Sequence, residues 1–484
     1  MDLSKHWTLG KIAEACNGRL IDADARRPVK SLSIDSRRIK KGELFWVIEG
    51  ASKDGNDFVA EAAKRGAMAA VVSRDVFPGL PDPYPLIRVS NGLKALGRLA
   101  EEHRLLFPKA GVIAITGSNG KTSTKEMVAR VLSEAGSVTL SPGNYNNEVG
   151  CPLSVLELGS HHAFAVWEMA ARKKGDIAYL SLIAHPNVVI LTNIGTAHLE
   201  TFGSEQVIFE TKFEILRGLM PKGTVVYWAE DPWLTELPKR RPQNKYLTFG
   251  LGPTADVFGQ VEEQSPDGTL VDIFYEGKKQ GSVLLKVLGG GQVRNALAAF
   301  ACGIALGVPV RKILKALEGF EPAPMRGERL TLGGKLFADR YVLINDAYNA
   351  NPASMTDSAL AFMRAYQGWT KILVLGEMRE LGQRSGELHG QVGAAIAEAA
   401  QAEGLLDDRT YFLIIGTPLT LPLAEALKKC HKKDGPQVMF VPRDEALDVL
   451  RRPLFTQKPP CALFFKASRG EALEKLIEDL KKEF

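Results

Sequence analysis

The sequence predicts an α/β fold with three domains, the last of which is a Rossmann-like, doubly wound sheet. The chain has 484 residues, and domains of roughly 150 residues are typical, so about three are expected. An apolar run at residues 111–116 passes through a glycine-rich turn into an amphipathic helical pattern at 122–134. After residue 327, five short apolar runs alternate with helical segments, which indicates a parallel sheet.

Composition excludes several classes of protein. Hydrophobic residues make up 45% of the chain and charged residues 24%, which is typical of globular proteins and excludes general disorder, collagen-like chains and disulfide scaffolds. The 61 Lys and Arg residues against 56 Asp and Glu residues give a net charge of +5. This dispersed charge suits anionic small molecules and lacks the concentrated basic patch of a nucleic-acid-binding protein.

The cysteines and the start of the chain favour a cytoplasmic protein. The five cysteines lie far apart and form no C-x-x-C pair, so we expect free thiols in a reducing compartment and no zinc site. The first seven residues, MDLSKHW, contain no apolar segment of a secretory signal. The longest apolar stretch, residues 296–310, contains two glycines and is shorter than the roughly 18 residues of a transmembrane helix.

We expect domain boundaries near residues 105 and 327. The first domain, 1–105, alternates short β-like runs with helical stretches. The second, 106–327, ends in the segment EPAPMRG, whose proline and glycine content is typical of a linker. The third, 328–484, contains the five apolar runs, at residues 342–345, 372–375, 411–415, 438–441 and 462–465.

The sharpest motif is the segment TGSNGKT at residues 116–122, between the first predicted strand and helix of the central domain. Its glycines would let backbone N–H groups approach phosphate oxygens, while Lys121 would reach the β- and γ-phosphates and Thr122 would bind Mg²⁺. The P-loop pattern has a further glycine where Ile115 stands, so this is a variant loop; the alternative is a glycine-rich turn that opens a helix. We expect ATP to be bound by Gly117, Ser118, Asn119, Gly120, Lys121, Thr122 and Ser123.

Two further strands of the central domain end in polar residues. Glu168 ends the run at 163–168, and Asn193 ends the run at 188–193, with His198 five residues later. A carboxylate and an imidazole at neighbouring strand ends could hold a second divalent cation, since Mg²⁺ prefers oxygen ligands. Taken alone, His198 is more simply a hydrogen-bonded loop residue.

Lys212 lies on the apolar stripe of a helix predicted over residues 204–219. A buried ammonium group is costly, so such a site should lower the lysine pKa or pair the charge. A neutral amine can react with CO₂ and give a carbamate that binds metal. Periodicity alone favours the simpler alternative, in which the stem of the lysine packs and its head reaches water.

The carboxyl ends of the predicted C-terminal strands also carry polar residues. Asp346, Glu377 and the turn at 466–469 follow three of the five runs. Ligands of parallel doubly wound sheets bind beyond these ends, so the last domain is expected to bind a ligand as well.

Together these motifs resemble the Mur ligase family over nearly the whole chain. The segments DAYNANP at 346–352 and GNYNN at 143–147 resemble the D-alanyl-D-alanine-adding branch of that family. The other matching segments are SIDSR (33–37), GELF (42–45), DGNDF (54–58), the phosphate loop, EMAAR (168–172), TNIGTAH (192–198), LGEMRELG (375–382) and KASRG (466–470).

The resemblance implies roles for individual residues. Lys121 and Thr122 match the phosphate lysine and a metal ligand, Glu168 and His198 match ligands of a second Mg²⁺, and Lys212 matches a carbamylated lysine. That match reverses the interpretation of Lys212 from periodicity. Further matches are Asn295, Arg326 and Asp346 for ATP, Ser36 and Arg37 for the UDP moiety, and Tyr348, Asn349 and Asn351 for the dipeptide region.

The sequence departs from the family pattern at three places. Gly291 stands where the family often has a histidine that packs near adenine, Asn56 replaces a histidine, and the segment after Glu168 reads Met-Ala-Ala instead of x-Gly-Ala. These departures leave the groups needed for phosphoryl transfer in place.

The activity implied by the resemblance is ATP-dependent amide ligation. The substrates would be UDP-N-acetylmuramoyl-tripeptide and D-alanyl-D-alanine, joined through an acyl phosphate by a monomer with two Mg²⁺ ions. The alternatives are a sister ligase, a folylpolyglutamate-synthase-like enzyme, or a nucleotide-binding switch. The ligase that adds the third peptide residue typically has Asp-Asn-Pro-Arg where this chain has Asn349-Ala-Asn-Pro352, and a switch would lack the second set of metal ligands.

Overall fold

A computed structural model describes residues 2–50, 53–75, 79–195, 199–332, 341–429, 435–456 and 460–482. These residues form three β-sheets and intervening helices, which confirms the predicted α/β class. The chain divides into two compact units. Unit 1 comprises Met1–Thr116, Gly136–Val189 and Thr211–Gly223, and unit 2 comprises Gly117–Ala135, Ile190–Glu210 and Thr224–Phe484.

Among the described residues the helices are mostly short, and the longest has 18 residues. In the described ranges, no helix combines the length and hydropathy needed to cross a membrane. The helices are α1 (Leu9–Ala15), α2 (Val59–Lys64), α3 (Gly92–Leu105), α4 (Lys121–Ser133), α5 (Gly150–Val155), α6 (Asp176–Ala184), α7 (Leu199–Phe202), α8 (Glu205–Phe213), α9 (Leu237–Arg240), α10 (Gly290–Ala305), α11 (Val310–Glu318), α12 (Pro352–Ala365), α13 (Ser385–Ala402), α14 (Leu421–Lys428), α15 (Ala446–Thr456) and α16 (Leu473–Lys482).

The N-terminal sheet has five short strands. They are β1 (Arg19–Ile21), β2 (Leu32–Ser33), β3 (Leu44–Trp46), β4 (Ala69–Val72) and β5 (Leu86–Arg88). Their spatial order is β1-β5-β4-β3-β2, with β1 antiparallel to β5 and the other neighbours parallel. All residues of β3 and β4 are buried, as expected of strands covered on both faces.

The central sheet has nine strands in the order β14-β13-β12-β11-β10-β9-β6-β8-β7. They are β6 (Gly111–Thr116), β7 (Val138–Leu140), β8 (Phe164–Glu168), β9 (Val188–Leu191), β10 (Thr224–Trp228), β11 (Lys245–Gly250), β12 (Val257–Ser265), β13 (Gly268–Tyr275) and β14 (Lys278–Leu285). The strand predicted at 111–116 is confirmed residue for residue. The antiparallel β12–β14 was not predicted.

The C-terminal sheet confirms the predicted parallel alternation. Its strands are β15 (Glu328–Thr331), β16 (Tyr341–Asn345), β17 (Thr370–Leu375), β18 (Thr410–Ile415), β19 (Gln437–Val441) and β20 (Cys461–Lys466), in the order β15-β16-β20-β17-β18-β19. The last five are parallel to one another, and each contains one predicted run. The antiparallel edge strand β15 was missed, because its residues are only half-buried or exposed.

Each sheet lies within one of the three predicted domain ranges. The segment at 321–327 contains no helix or strand, as expected of a linker. The boundaries near residues 105 and 327 themselves stay predictions.

Four of the five cysteines are buried free thiols: Cys16, Cys151, Cys302 and Cys461. Burial raises the thiol pKa of Cys16 and of Cys151 to about 12, so these groups are neutral at ordinary pH. Cys430 lies outside the described residues.

Candidate functional site

The phosphate loop connects β6 to α4 and depends on two glycines. Gly120 has φ +78°, a left-handed conformation that favours glycine. A Cβ on Gly117 would lie 1.8 Å from Thr192 Oγ1, and a Cβ on Gly120 would lie 2.3 Å from Asn295 Oδ1. Neither position therefore has room for a side chain.

The segment after β9 fixes the shape of the phosphate loop. The backbone N–H of Ser118 donates to the Asn193 carbonyl over 3.0 Å, and that of Asn119 donates to Asn193 Oδ1 over 2.9 Å. The Thr192 hydroxyl donates to the Asn119 carbonyl over 2.5 Å, and Gly195 N–H donates to Ser118 Oγ over 2.9 Å. The sequence-predicted loop and the segment 192–195 are thus one hydrogen-bonded assembly.

Lys121 is turned back onto this loop. Its Nζ donates to the carbonyls of Gly117, over 2.8 Å, and Ser118, over 3.2 Å. Helix α4 begins at Lys121, so the loop places a lysine and the first amides of a helix in one place. That combination attracts phosphate oxygens. Thr122 and Ser123 occupy the next two positions of the same helical turn.

Asn295 lies on α10 and is brought to α4 by hydrogen bonds. The Thr124 hydroxyl donates to Asn295 Oδ1 over 3.2 Å, while Asn295 Nδ2 donates to Gln292 Oε1 over 3.1 Å. Gln292 Nε2 in turn donates to the Arg326 carbonyl over 3.4 Å. This chain of contacts joins the predicted nucleotide residues Asn295 and Arg326 to the helix that opens at the phosphate loop.

Gly291 lies at the N-terminus of α10, beside an aspartate that sequence reasoning did not find. Asp357 Oδ1 accepts from Gly290 N–H over 3.2 Å, and Asp357 Oδ2 accepts from Gly291 N–H over 2.9 Å. A carboxylate at this end of a helix is favourable. A Cβ on Gly291 would lie 3.1 Å from Asp357 Oδ2, so the carboxylate occupies space that a larger residue at 291 would need.

The segment after β16 gathers the remaining C-terminal candidates. The Arg326 guanidinium carbon lies 3.8 Å from the centroid of the Tyr348 ring. Lys466 Nζ lies 2.6 Å from Asp346 Oδ2 and donates to the Asn349 carbonyl over 3.3 Å. Sequence reasoning placed Asp346 and the turn that begins at Lys466 at the carboxyl ends of strands, where ligands bind. It did not predict that the two side chains pair.

Asn351 lies directly against the phosphate loop. Its Nδ2 donates to Asn119 Oδ1 in a short hydrogen bond, and Asn119 Nδ2 donates to Asn351 Oδ1 over 3.4 Å. The same Oδ1 accepts from Ser354 N–H over 3.0 Å and caps α12. Asn349, by contrast, uses its Oδ1 locally, accepting from Ala350 N–H over 2.9 Å.

Unit 1 contains two of the predicted metal ligands. Glu168 ends β8 and is 3% exposed, with Asn146 Nδ2 donating to its Oε1 over 2.8 Å. Lys212 is 6% exposed, in agreement with its place on the apolar stripe. The helix predicted over 204–219 is shorter in the structure. Helix α8 ends at Phe213, and a 3₁₀ turn, Glu214–Arg217, follows it. At that point the Glu214 carboxylate accepts from Gly175 N–H and Ala178 N–H, before and within α6.

The oxygen donors of Thr122 and Glu168 are of the kind that suits Mg²⁺. His198 lies outside the described residues. Within the described part of the chain, no group of three or more His, Cys, Asp or Glu side chains is arranged to hold a metal ion. The predicted two-site magnesium centre stays a prediction.

The N-terminal candidates lie on the turn after β2. Ser36 is buried, and its hydroxyl donates to Glu61 Oε2 over 3.0 Å. The Arg37 side chain is 80% exposed and forms two 2.9 Å hydrogen bonds with Asp35. These bonds lower the pKa of Asp35 to about 2. The turn thus presents the Arg37 guanidinium at the surface, paired with Asp35, and its role towards UDP stays a prediction.

Three sequence models of protein families match segments of this chain. "Mur ligase family, catalytic domain" matches residues 28–104, "Mur ligase middle domain" matches 115–303, and "Mur ligase, glutamate ligase domain" matches 329–451. Together they include the turn after β2, the phosphate loop and the segment after β16.

Named relatives are similar along almost the full length. The chain is 33% identical over 479 residues to the UDP-N-acetylmuramoyl-tripeptide–D-alanyl-D-alanine ligase of Bacillus subtilis, with 98% of both chains covered. It is 31% identical to MurF from Acinetobacter baumannii, with a TM-score of 0.86 over 98% of this chain and 99% of that one. A MurF ligase from Thermotoga maritima in complex with ADP is 29% identical, with a TM-score of 0.80 over 94% of this chain and 97% of that one. This chain belongs to the Mur ligase family.

Proposed function

We propose that this chain joins D-alanyl-D-alanine to UDP-N-acetylmuramoyl-tripeptide at the expense of ATP, in peptidoglycan precursor synthesis. The observation that carries the proposal is the likeness to the B. subtilis ligase of that name. It extends over 98% of both chains, so it includes the phosphate loop and the segment that follows β16. A protein that only binds nucleotide as a switch would not be expected to resemble this ligase over its full length.

The reaction has two chemical steps. The terminal carboxylate of the tripeptide attacks the γ-phosphorus of ATP, the bond to the β-phosphate oxygen breaks, and ADP leaves an acyl phosphate behind. The amine of D-alanyl-D-alanine then attacks the acyl carbon, loses a proton and expels inorganic phosphate. Phosphoryl transfer of this kind depends mainly on positioning and on electrostatic stabilisation.

The chain supplies the positive charge that the first step needs. A carboxylate must approach the triphosphate, so repulsion between anions opposes the attack. We assign Lys121 and the N-terminal amides of α4 to the phosphates, and Asn295, Arg326 and Asp346 to the rest of the nucleotide. When ATP enters, Lys121 would exchange the carbonyls of Gly117 and Ser118 for phosphate oxygens.

We further propose that Thr122, Glu168, His198 and a carbamate on Lys212 hold two Mg²⁺ ions. Bound Mg²⁺ would neutralise phosphate charge and polarise the transferred phosphoryl group. The carbamate is assigned to Lys212 by its match to the carbamylated lysine of the family, and the side chain is buried. Glu168 is also buried, with Asn146 Nδ2 holding one of its carboxylate oxygens, which would fix the orientation of a ligand.

We assign the remaining candidates to the two other substrates. Ser36 and Arg37 would contact the UDP moiety, and Tyr348 and Asn349 would contact the dipeptide, while Asn351 lies against the phosphate loop. We also expect the enzyme to act as a monomer in the cytoplasm.

The test is product formation by the purified full-length chain. ATP, Mg²⁺ and D-alanyl-D-alanine would be supplied with UDP-N-acetylmuramoyl-tripeptide carrying either diaminopimelate or lysine, and products would be identified by mass. We expect ADP to form only when both the nucleotide substrate and the dipeptide are present. ADP formation that needs no acceptor amine would contradict the proposal.

Lys212 provides the test of the carbamate. Lys212→Ala and Lys212→Arg should both abolish ligation while the fold is retained, because arginine keeps the charge but cannot form the carbamate. Near-normal turnover by either variant, with unchanged circular dichroism, would exclude this role. Lys222→Ala, a change at an exposed lysine of the same unit, serves as the control.

A further inference from the structure

An amide pair joins the phosphate loop to the N-terminus of α12. Asn351 Nδ2 donates to Asn119 Oδ1, and Asn119 Nδ2 donates back to Asn351 Oδ1 over 3.4 Å. The two residues are 232 positions apart in the chain, and Asn351 is 6% exposed. A reciprocal pair with little access to water fixes the relative position of its two backbones.

Asn119 is held from its other side as well. Its N–H donates to Asn193 Oδ1 over 2.9 Å, and its carbonyl accepts from the Thr192 hydroxyl over 2.5 Å. The loop residue therefore lies between the segment after β9 and the segment after β16. Loss of either contact would leave one side of the loop unsupported.

Asn351 is itself fixed in place. Its Oδ1 caps α12 by accepting from Ser354 N–H over 3.0 Å, and its backbone N–H donates to Ser354 Oγ over 3.1 Å. The preceding residues are held by Lys466, which donates to the Asn349 carbonyl over 3.3 Å. This capping box and the lysine contact make Asn351 a rigid support.

We infer that Asn351 is a positioning residue for ATP, which acts on the phosphate loop through Asn119 and does not contact the dipeptide. The inference rests on the proposed function for the reaction that it serves. Both polar atoms of the Asn351 side chain are engaged by Asn119 and Ser354. The second N–H of Nδ2 is the one donor left for a dipeptide, on a residue that is only 6% exposed, whereas support of the loop uses the existing contacts as they are.

The consequence is a link between the nucleotide loop and the segment of the C-terminal sheet that carries Asp346 and Tyr348. The amide pair holds the phosphate loop against this C-terminal segment. Tight ATP binding then requires the C-terminal segment to be in place. This coupling would favour phosphoryl transfer in the arrangement in which the acceptor can also be bound.

The test is a double-mutant cycle on the full-length chain, with Mg·ADP as the probe. Asn351→Ser keeps an oxygen that can cap α12 but removes the amide nitrogen that reaches Asn119. Asn119→Ala removes the other half of the pair. Ser354→Ala is the matched control, because it removes a partner of the capping box and leaves the amide pair intact.

We expect Asn351→Ser and Asn119→Ala each to weaken Mg·ADP binding by about threefold to tenfold, the range of an ordinary hydrogen bond. The double variant should bind no more weakly than the poorer single variant, since both changes remove one contact. The KM for ATP should rise with the dissociation constant for ADP, while the KM for the dipeptide stays within about twofold of its original value. Ser354→Ala should lower thermal stability and leave ADP binding unchanged.

Two results would overturn the inference. One is additive losses of ADP binding in the double variant. The other is a rise in the KM for the dipeptide with unchanged ADP binding, which would make Asn351 a substrate contact. Failure of the proposed function looks different, because the original chain would then bind Mg·ADP and respond to the cycle but form no ligated product.

Discussion

Lys466 Nζ lies 2.6 Å from Asp346 Oδ2, where β20 and β16 end side by side. The lysine side chain is 3% exposed and the aspartate side chain 17%. A second pair, Lys371 with Asp407 at 3.2 Å, lies at the start of β17, the opposite edge of the same sheet. Both pairs join a buried lysine to an aspartate, but they lie at opposite ends of the parallel strands. Ligands of such sheets bind at the carboxyl ends of the strands, where the Lys466 pair lies.

We predict that Lys466→Met and Lys371→Met each lower the free energy of unfolding by about 2 kcal/mol, because each leaves a carboxylate without its cation. The loss is smaller than for a fully buried pair, since Asp346 and Asp407 both reach solvent. Only Lys466→Met should also raise the KM for ATP, since Asp346 is a proposed nucleotide ligand. Urea unfolding and steady-state kinetics would measure the two effects. Equal changes in KM for both variants would make the Lys466 pair purely structural.

We predict that the free energy of unfolding depends on pH because of the buried side chain of His103. The Trp7 indole N–H donates to His103 Nδ1 over 2.9 Å, and His103 Nε2 donates to the Leu158 carbonyl over 2.8 Å. Protonation of Nδ1 would break the first bond. Burial lowers the pKa of His103 from 6.5 to about 4, so the unfolded chain binds a proton more readily than the folded protein between these two values.

The free energy of unfolding should therefore fall as the pH falls from 6.5 to about 4. Above pH 6.5 the stabilising contribution of the neutral His103 side chain should be fully present. The total for this group is about 3 kcal/mol, at 1.36 kcal/mol for each pKa unit. His103→Gln keeps a donor and an acceptor but does not titrate. The difference in unfolding free energy between the original chain and this variant should shrink by that amount from pH 7 to pH 4, and a constant difference would refute the assignment.

Gly117 provides a test of the phosphate loop. Its Cα faces Thr192 so closely that a Cβ would lie 1.8 Å from Thr192 Oγ1. Gly117→Ala should therefore displace the loop and lower ATP turnover by more than about a hundredfold, as a misplacement of about 1 Å at an active site can do. Steady-state ADP release would measure the loss.

The control for this prediction is Gly277→Ala. Gly277 also has a positive φ, +70°, but a Cβ there would meet nothing within 4 Å. This variant should lose about 1 kcal/mol of stability from backbone strain and keep its activity. Similar losses of turnover in the two variants would mean that strain, and not crowding at Thr192, explains Gly117→Ala.

Sequence reasoning found the parts of the site that have a local pattern. The phosphate loop, the strand before it and the five C-terminal strands are marked by glycines and by apolar periodicity, so all were predicted. Asp357, the pairing of Lys466 with Asp346 and the pairing of Asn119 with Asn351 were not, because each depends on residues that folding brings together over long separations. The end of α8 at Phe213 was missed for the same reason, since the Glu214 carboxylate there binds amides at Gly175 and Ala178.

We predict that the Asp231 side chain is a second support of the phosphate loop. It is fully buried, and its Oδ2 accepts from Ile194 N–H over 2.7 Å, while its Oδ1 accepts from Trp233 N–H and Leu234 N–H. Ile194 follows Asn193, whose side chain holds the loop. Asp231→Asn keeps the size of the side chain but can direct an amide against Ile194 N–H, which would then lose its acceptor.

We expect Asp231→Asn to lower the free energy of unfolding by about 2 kcal/mol, the cost of an unpaired buried N–H, and to raise the KM for ATP severalfold. Asp256→Asn is the control, because Asp256 accepts from the N–H and the hydroxyl of Thr248, on β11. That variant should lose some stability but keep its KM. If Asp231→Asn loses stability while its KM for ATP stays unchanged, the segment 192–195 holds its position without Asp231, and the loop does not depend on this carboxylate.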